Sequence, residues 1–450
     1  MLNGLRGQRA LVIGLAREGV DLTRFLTGHG ARVTVTDTRS SDDLAESVAR
    51  LDGAEVSYHL GGHQLTDVEQ ADVVYASPGV PPENPLLVRA RQRGIRQSSL
   101  VELFFQLCPA PILGITGSAG KSTTTSLLGE MFVAAGRQVF VGGNIGRPLL
   151  GKLEAMTERS WVVMELSSFQ LEPLQISPHI ALITNVTPNH LDRHPTMEAY
   201  WAAKGQILAH QSAHDWAVLN ADDEWSRRYA PPGNVLQFSL ERVVDGAYLG
   251  DHERCVMLQS EPVIETSEIP LRGRHNVANV LAAVAAARAA GIPKAAMQAA
   301  IRGFNGVAHR LQTVAERNGV TWVDDSIATA PERSIAALRA YHAPLVLIAG
   351  GRDKHLPMEE WAALIVERVR HVVLLGEMSD LVAEAITRVK PTYHTMTRAH
   401  SMDEAVRQAE RVATAGDVVL LSPGGTSYDM YHDFEERGRA FQSAVEALES

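Results

Sequence analysis

The sequence predicts an α/β protein of three domains, and three observations carry that expectation. The chain has 450 residues, too many for one ordinary hydrophobic core. Short apolar runs ending in polar residues alternate with helical stretches along almost its whole length, the pattern of parallel sheets flanked by helices. Two breaks interrupt the alternation, at Cys108-Pro109-Ala110-Pro111 and at the turn-like Asn305-Gly306, giving expected domains 1–108, 109–306 and 307–450.

The first domain reads as RALVIG, a helix from Val20 to His29, ARVTVTD, a helix around Leu44 to Leu51, and ADVVYASPGV, a Rossmann-like alternation. The second opens with the strand Ile112 to Thr116 and runs through WVVMEL, HIALITNV and DWAVLN. A more polar, less regular portion follows from about Arg227 to Glu268, and the alanine-rich helix Asn276 to Ala290 with the segment Ala295 to Phe304 closes the domain. Its run AAVAAARAA reads as a buried helix. The third domain, VTWVDDS, APLVLIAGG, HVVLLG and DVVLLSPGG, is again Rossmann-like.

Composition narrows the function classes. Hydrophobic residues at 45% and charged residues at 21% are those of a globular protein, and no apolar run approaches the roughly 20 residues that span a bilayer. The start, MLNGLRGQRALVIGLAREG, lacks a signal-peptide pattern, and Cys108 and Cys255 are too far apart in sequence to suggest a disulfide framework or a zinc site. A cytoplasmic location is expected, with no membrane partner. A net charge of −10 disfavours nucleic acid but leaves room for small anions in a local pocket.

The strongest local signal is Gly114-Ile115-Thr116-Gly117-Ser118-Ala119-Gly120-Lys121-Ser122-Thr123, which ends a strand and opens a helix. Glycines let the backbone aim N–H groups at phosphate, Lys121 adds positive charge, and Ser122 can hold Mg²⁺. The second domain is therefore expected to be P-loop ATPase-like, although Ile115 occupies a position where the usual pattern has glycine. Glu165 ends the next strand, where a carboxylate can hold a metal against phosphates or simply face solvent, and His190 follows a third strand as a metal ligand or a hydrogen-bonded loop histidine. Gly14 to Gly19 is a variant dinucleotide fingerprint with Asp37 downstream; NAD, a nucleotide-sugar or a purely structural turn would each explain it. In the third domain Asp324-Asp325-Ser326, Gly350 to Lys354 and Ser422 to Ser427 all follow strands, and could join an amino-acid carboxylate site to residues closing over ATP.

The order of these motifs resembles the Mur ligase family over nearly the whole chain. GITGSAGKSTTT is similar to the family P-loop, and ELSSFQLE with TNVTPNHLDRHP is similar to its D-glutamate-adding branch. The resemblance implies ATP contacts from Gly117, Ser118, Ala119, Gly120, Lys121, Ser122, Thr123, Asn279, Arg310 and Asp325. It implies metal contacts from Ser122, Glu165, His190 and a carbamylated Lys204, with two Mg²⁺ ions and with Lys121, His190 and Lys204 as the catalytic set. The uridine-diphosphate substrate would meet Leu15, Ala16, Asp37, Thr38, Arg39, Gly79 and Asn144; glutamate would meet Thr329, Lys354, Ser427 and Phe434.

The implied activity is ATP-dependent amide-bond formation in peptidoglycan precursor synthesis. The carboxylate of UDP-N-acetylmuramoyl-L-alanine attacks the γ-phosphate, and the amine of D-glutamate displaces phosphate from the resulting acyl phosphate. A monomer with domain closure around the intermediate is expected. One departure stands out: the family segment D-S-K-A-T reads Asp325-Ser326-Ile327-Ala328-Thr329 here, which removes a cation and leaves an L-glutamate-adding variant as the alternative. More distant rivals are a small-molecule kinase, a nucleotide-sugar sensor without turnover, and a folate-extending ligase.

Overall fold

Residues 2–144, 148–188, 193–250, 252–271, 273–353 and 356–448 are described by a computed structural model. The chain forms two compact units, Met1–Phe304 and Asn305–Ser450.

The first unit holds two sheets. The smaller contains β1 (Arg9–Ile13), β2 (Arg32–Asp37), β3 (Val56–Leu60), β4 (Val73–Ala76) and β5 (Arg96–Ser98), in the order β3-β2-β1-β4-β5. All its pairings are parallel, so the carboxyl ends of β1, β2 and β4 share one edge. The helix Arg17–Gly28 leaves that edge directly after β1, starting earlier than the expected Val20.

The larger sheet is built from β6 (Ile112–Thr116), β7 (Val139–Gly143), β8 (Trp161–Glu165), β9 (Ile180–Ile183), β10 (Trp216–Asn220), β11 (Asn234–Ser239), β12 (Gly246–Gly250), β13 (Cys255–Leu258) and β14 (Glu261–Glu265). Its order is β14-β13-β12-β11-β10-β9-β6-β8-β7. The pairings from β7 through β12 are parallel. Central strands such as β9 are buried at every position, which is why they read as unbroken apolar runs. The polar portion 227–268, expected to be irregular, instead extends the sheet through β11 and β12 and adds the antiparallel strands β13 and β14. Those strands at the end of the sheet are short and half-exposed, and Glu261 and Glu265 dilute the apolar content of β14.

One face of this sheet packs on the helices Lys121–Ala134, Arg274–Ala289 and Lys294–Gly303. Residues 282–287 of the middle helix are all fully buried, in keeping with the reading of its alanine run. The other face contributes to a core that continues into the first sheet: Leu15, Leu26 and Phe104 belong to one apolar cluster with Met164, Leu166 and Ile207.

The second unit has β15 (Gln312–Arg317), β16 (Val320–Asp324), β17 (Leu345–Gly350), β18 (Val369–Leu375), β19 (Met396–Ala399) and β20 (Val418–Gly424), in the order β15-β16-β20-β17-β18-β19. Only β15 runs antiparallel to its neighbour. Cores lie on both faces, one around Trp361 and Leu347 and one around Trp322 and Phe441.

Candidate functional site

Three clusters of the expected residues form at the carboxyl edges of the three sheets. In the larger sheet of the first unit, β6 delivers the loop Gly117–Gly120 to the start of the helix Lys121–Ala134. Gly117 and Gly120 have φ of 148° and 83°, and a Cβ on either would collide with Thr184 Oγ1 or Asn279 Oδ1 respectively, so the loop requires glycine at both. Neighbours brace it closely. Thr184 Oγ1 donates to Ala119 O at 2.6 Å, Asn185 Oδ1 accepts from Ala119 N at 2.9 Å, and Ser118 Oγ donates to Thr187 O at 2.9 Å. Backbone N–H groups at a helix start, held this way, favour anions.

Lys121 Nζ donates to Gly117 O at 2.8 Å and Ser118 O at 3.1 Å. Ser122 Oγ donates to Glu165 Oε2 at 2.7 Å, while Asn144 Nδ2 donates to Glu165 Oε1 at 2.8 Å. Register explains why: β8 pairs with β6 so that Ile115 faces Glu165, placing the carboxylate beside the first helical turn. Asn144, Ser122 and Glu165 are thus joined, and Asn279 lies against Gly120. His190 falls outside the described residues.

Lys204 comes to the same edge from the helix Met197–Ala209, whose start is capped by Thr196 accepting from Ala199 N at 3.2 Å. It is 1% exposed, and its Nζ donates to Gly117 O at 2.8 Å. Burial, reinforced by Lys121 and opposed by Glu165, holds its ammonium well below the ordinary lysine pKa, so the neutral amine is favoured. Its neighbour Tyr200 is a residue that sequence reasoning passed over. The Tyr200 ring lies 4.5 Å from Lys204 Nζ, and its hydroxyl stands 3.1 Å from Ser118 Oγ. The only signal available was spacing: four residues apart on a helix places two side chains on one face.

At the first sheet's edge Asp37 is the organiser. Its carboxylate accepts from Leu15 N at 2.8 Å, Arg39 N at 3.0 Å and the Arg39 guanidinium at 2.7 Å. Burial alone would raise its pKa, but these donors hold it below the ordinary aspartate value. Leu15 is fully buried and offers this edge its backbone, whereas Ala16, Thr38 and Gly79 are exposed there. Ser77 Oγ donates to Gly14 O at 3.0 Å, tying β4 to the turn. Contacts that link this edge to the larger sheet include Gln170 Nε2 donating to Glu18 Oε1 at 2.7 Å, the Arg193 guanidinium to Val80 O at 3.2 Å, and the Arg17 guanidinium to Gly143 O at 3.4 Å. Neither Glu18 nor Gln170 was singled out from sequence.

In the second unit Asp325 Oδ2 accepts from Ser422 Oγ at 2.8 Å and Oδ1 from Leu311 N at 3.2 Å. The turn after β16 meets the loop after β20 through Gly424 N donating to Ala328 O at 2.8 Å, which brings the Thr329 and Ser427 segments together. Phe434 opens the helix Phe434–Glu446 and meets His309 edge-on at 6.3 Å; His309 Nδ1 lies 2.7 Å from the buried Asp324. Arg310, next to His309, is exposed. Lys354 lies outside the described residues.

Burial pushes the Asp325 carboxyl up to about 7 despite its hydrogen bonds. An unfolded aspartate titrates near 4, so between about pH 4 and 7 the folded state keeps a proton that the unfolded chain loses, and this residue's contribution to stability falls as pH rises. Asp325→Asn cannot lose that proton. Its stability relative to the parent is therefore expected to be higher at pH 8 than at pH 5, as read by thermal unfolding at both values; an equal difference at the two would contradict the shift.

Comparison with known proteins agrees with this architecture. Residues 8–98 match the Mur ligase MurD-like N-terminal domain, 115–287 the Mur ligase middle domain, and 309–425 the Mur ligase glutamate ligase domain. The UDP-N-acetylmuramoylalanine–D-glutamate ligase of Symbiobacterium thermophilum is 44% identical over 448 residues, covering 98% of each chain. That of Acidobacterium capsulatum is 39% identical, with 98% of this chain and 96% of its own covered. In fold, the chain is similar to the UDP-N-acetylmuramate-alanine ligase MurC of Thermotoga maritima, with a TM-score of 0.55, 19% identity, and 98% and 99% of the two chains covered. Acinetobacter baumannii MurF gives a TM-score of 0.55 at 15% identity, with 98% of each chain covered. With all three domain profiles matched in order and full-length relatives well above 30% identity, the chain belongs to the Mur ligase family.

Proposed function

We propose that this chain is an ATP-dependent ligase that joins D-glutamate to UDP-N-acetylmuramoyl-L-alanine through an acyl phosphate, in the cytoplasm and as a monomer. The observation that supports it most is the meeting of Lys121, Ser122, Glu165 and Lys204 around the Gly117–Gly120 loop, together with full-length relatives bearing that ligase name. A carboxylate does not react with an amine at a useful rate because oxide is a poor leaving group. Transfer of the γ-phosphate to the carboxylate oxygen forms a C–O–P linkage and releases ADP. The glutamate amine then attacks the acyl carbon, the C–O bond to phosphate breaks, and the amine loses a proton.

This chain's part is binding and charge. The backbone N–H groups of 120–122 at the helix start receive the triphosphate, and the Lys121 ammonium offsets the negative charge gathered there. The donor set suits Mg²⁺, since Ser122 and Glu165 present hard oxygen atoms within hydrogen-bonding reach of each other. Mg²⁺ bound there would neutralise phosphate oxygens. Among the described residues no three His, Cys, Asp or Glu side chains converge, so phosphate oxygens and a Lys204 carbamate would complete the set, with His190 serving a second ion. The neutral Lys204 amine is the form that reacts with CO₂ to give such a carbamate. Asp37 and Arg39, with the segments at Leu15, Ala16, Thr38 and Gly79, would hold the uridine diphosphate, and Asn144 the sugar side. Asn279, Arg310 and Asp325 would meet ATP; Thr329, Lys354, Ser427 and Phe434 would meet glutamate. The domain limits that go with this reading are 1–108, 109–306 and 307–450.

The test is coupled ADP release with UDP-N-acetylmuramoyl-L-alanine, offering D-glutamate and L-glutamate separately and weighing the product. ADP release that requires D-glutamate, with a product heavier by one glutamyl residue, is expected. Release independent of any amino acid would remove the ligase reading.

A further inference from the structure

The chain after β3 folds back onto the carboxyl edge of the first sheet. Gly61 and Gly62 have φ of 82° and 156°, which lets the backbone turn there. Gly61 N then donates to Arg39 O at 2.7 Å and Gly62 N to Asp37 O at 3.2 Å, so the turn lies along the segment that holds Asp37, Thr38 and Arg39. It is held from both sides, because His59 Nδ1 lies 2.8 Å from Asp67 Oδ2 and so ties β3 to the helix Leu65–Glu69 that follows the turn. Between them stands the half-buried His63.

Both ring nitrogens of His63 are engaged. Nδ1 lies 2.9 Å from Thr36 Oγ1, in β2, and Nε2 lies 3.3 Å from Asn84 Nδ2, in the segment that follows β4. Neighbouring bonds fix which atom donates at each link. Asn84 is the N-cap of the helix Pro85–Arg93, its Oδ1 accepting from Leu86 N at 2.9 Å, so the atom it turns to His63 is the amide nitrogen, a donor. Nε2 is therefore the acceptor, and Nδ1 carries the hydrogen that goes to Thr36 Oγ1. The Thr36 hydroxyl hydrogen is left for Gly62 O, at 3.3 Å. Since β2 and β4 are the two neighbours of β1, this chain of bonds joins the strand ends on either side of the Gly14–Leu15 turn. One end carries Asp37, Thr38 and Arg39. The other carries Gly79, in a loop shaped by Val80 N donating to Ser77 O and Asn84 N to Pro81 O, each at 2.9 Å.

We propose that His63 is a positioning residue for the nucleotide sugar, holding the Asp37–Arg39 and Gly79–Asn84 segments at one separation so that uridine diphosphate meets a preformed edge. This rests on the reading above that puts uridine diphosphate at Asp37, Arg39 and Gly79. Without the imidazole, two loop segments at open strand ends would have to be ordered by the ligand, and that ordering is drawn from the free energy of binding. ATP and glutamate are assigned to other segments, so the loss should be confined to one substrate.

Calorimetric titration with UDP-N-acetylmuramoyl-L-alanine, followed by steady-state ADP release with ATP and D-glutamate, tests this in the parent, His63→Ala, His63→Gln, Thr36→Val and Asp37→Ala. His63→Ala is expected to raise the Kd for the nucleotide sugar about tenfold, the effect of two neutral hydrogen bonds lost together, while kcat and the KM values for ATP and glutamate stay within about twofold. His63→Gln, whose amide can still accept from Asn84, should fall between. Thr36→Val keeps the side-chain shape without its hydroxyl and should raise the same Kd about threefold, so it carries the test if His63→Ala does not melt cooperatively. A merely structural histidine would weaken all three substrates alike. That result, no recovery in His63→Gln, or a nucleotide-sugar Kd within about twofold of the parent's in the variant that carries the test, overturns the proposal. Asp37→Ala binding the nucleotide sugar as tightly as the parent would instead overturn the placement of uridine diphosphate, and a parent with no glutamate-dependent ADP release would overturn the ligase reading, so the failures are distinct.

Discussion

Lys121→Ala is expected to lower kcat by about a hundredfold or more, the usual scale for removing one group that stabilises developing charge in a water-poor site. The structure explains why one residue should matter so much. The loop that carries it cannot be built without Gly117 and Gly120, and it is braced from Thr184, Asn185 and Thr187, so the ammonium is held within a preformed frame. Its contacts at rest include two carbonyl oxygens of that loop, neutral partners that a triphosphate can outcompete. Phosphoryl transfer to a carboxylate brings like charges together, and without the lysine that repulsion is felt most in the transition state. Substrate KM values should change less than kcat. Single-turnover ADP formation is the measurement, with thermal unfolding as the control for folding. A kcat within about tenfold of the parent's would separate this loop from the chemistry.

Lys204→Ala should produce a loss of the same order, and its distinguishing feature is chemical rescue. A buried lysine that were merely structural would rest on its hydrogen bond to Gly117 O and its packing under Tyr200. The burial and neighbouring charge that favour the neutral amine also favour attack on CO₂, in which an N–C bond forms and one amine proton leaves. The product is an anionic oxygen ligand in place of an amine. A short-chain carboxylate added to Lys204→Ala is expected to restore part of the activity. Parent protein equilibrated with ¹³C-labelled bicarbonate should show a carbamate carbon resonance that Lys204→Ala lacks. Full activity in the variant would remove the modification from the account.

Much of the fold was legible because parallel strands announce themselves as short, unbroken apolar runs; β6, β8, β9, β17 and β20 all fall where such runs predicted them. The strands β13, β14 and β15 were missed for the converse reason. Each lies at or next to a sheet edge and is only half-buried, so polar residues dilute the pattern that marks a strand. The glycine-rich loop could be read because its chemistry is local, with glycine, lysine and serine adjacent in sequence. What could not be read was support from afar. Thr184 and Asn185 reach the loop from β9, Tyr200 from a helix some 80 residues on, and Glu18 meets Gln170 across 152 positions.

The central claim is that the substrate carboxyl group is activated by phosphorylation before the amide forms, and oxygen transfer tests it most directly. UDP-N-acetylmuramoyl-L-alanine labelled with ¹⁸O in the alanyl carboxylate would be turned over with ATP and D-glutamate, and the inorganic phosphate examined by mass spectrometry. The account predicts that each phosphate released carries one ¹⁸O from the substrate, because the carboxylate oxygen that attacked phosphorus leaves with it. Unlabelled phosphate accompanying a labelled amide product would show that no acyl phosphate formed, and would contradict the account.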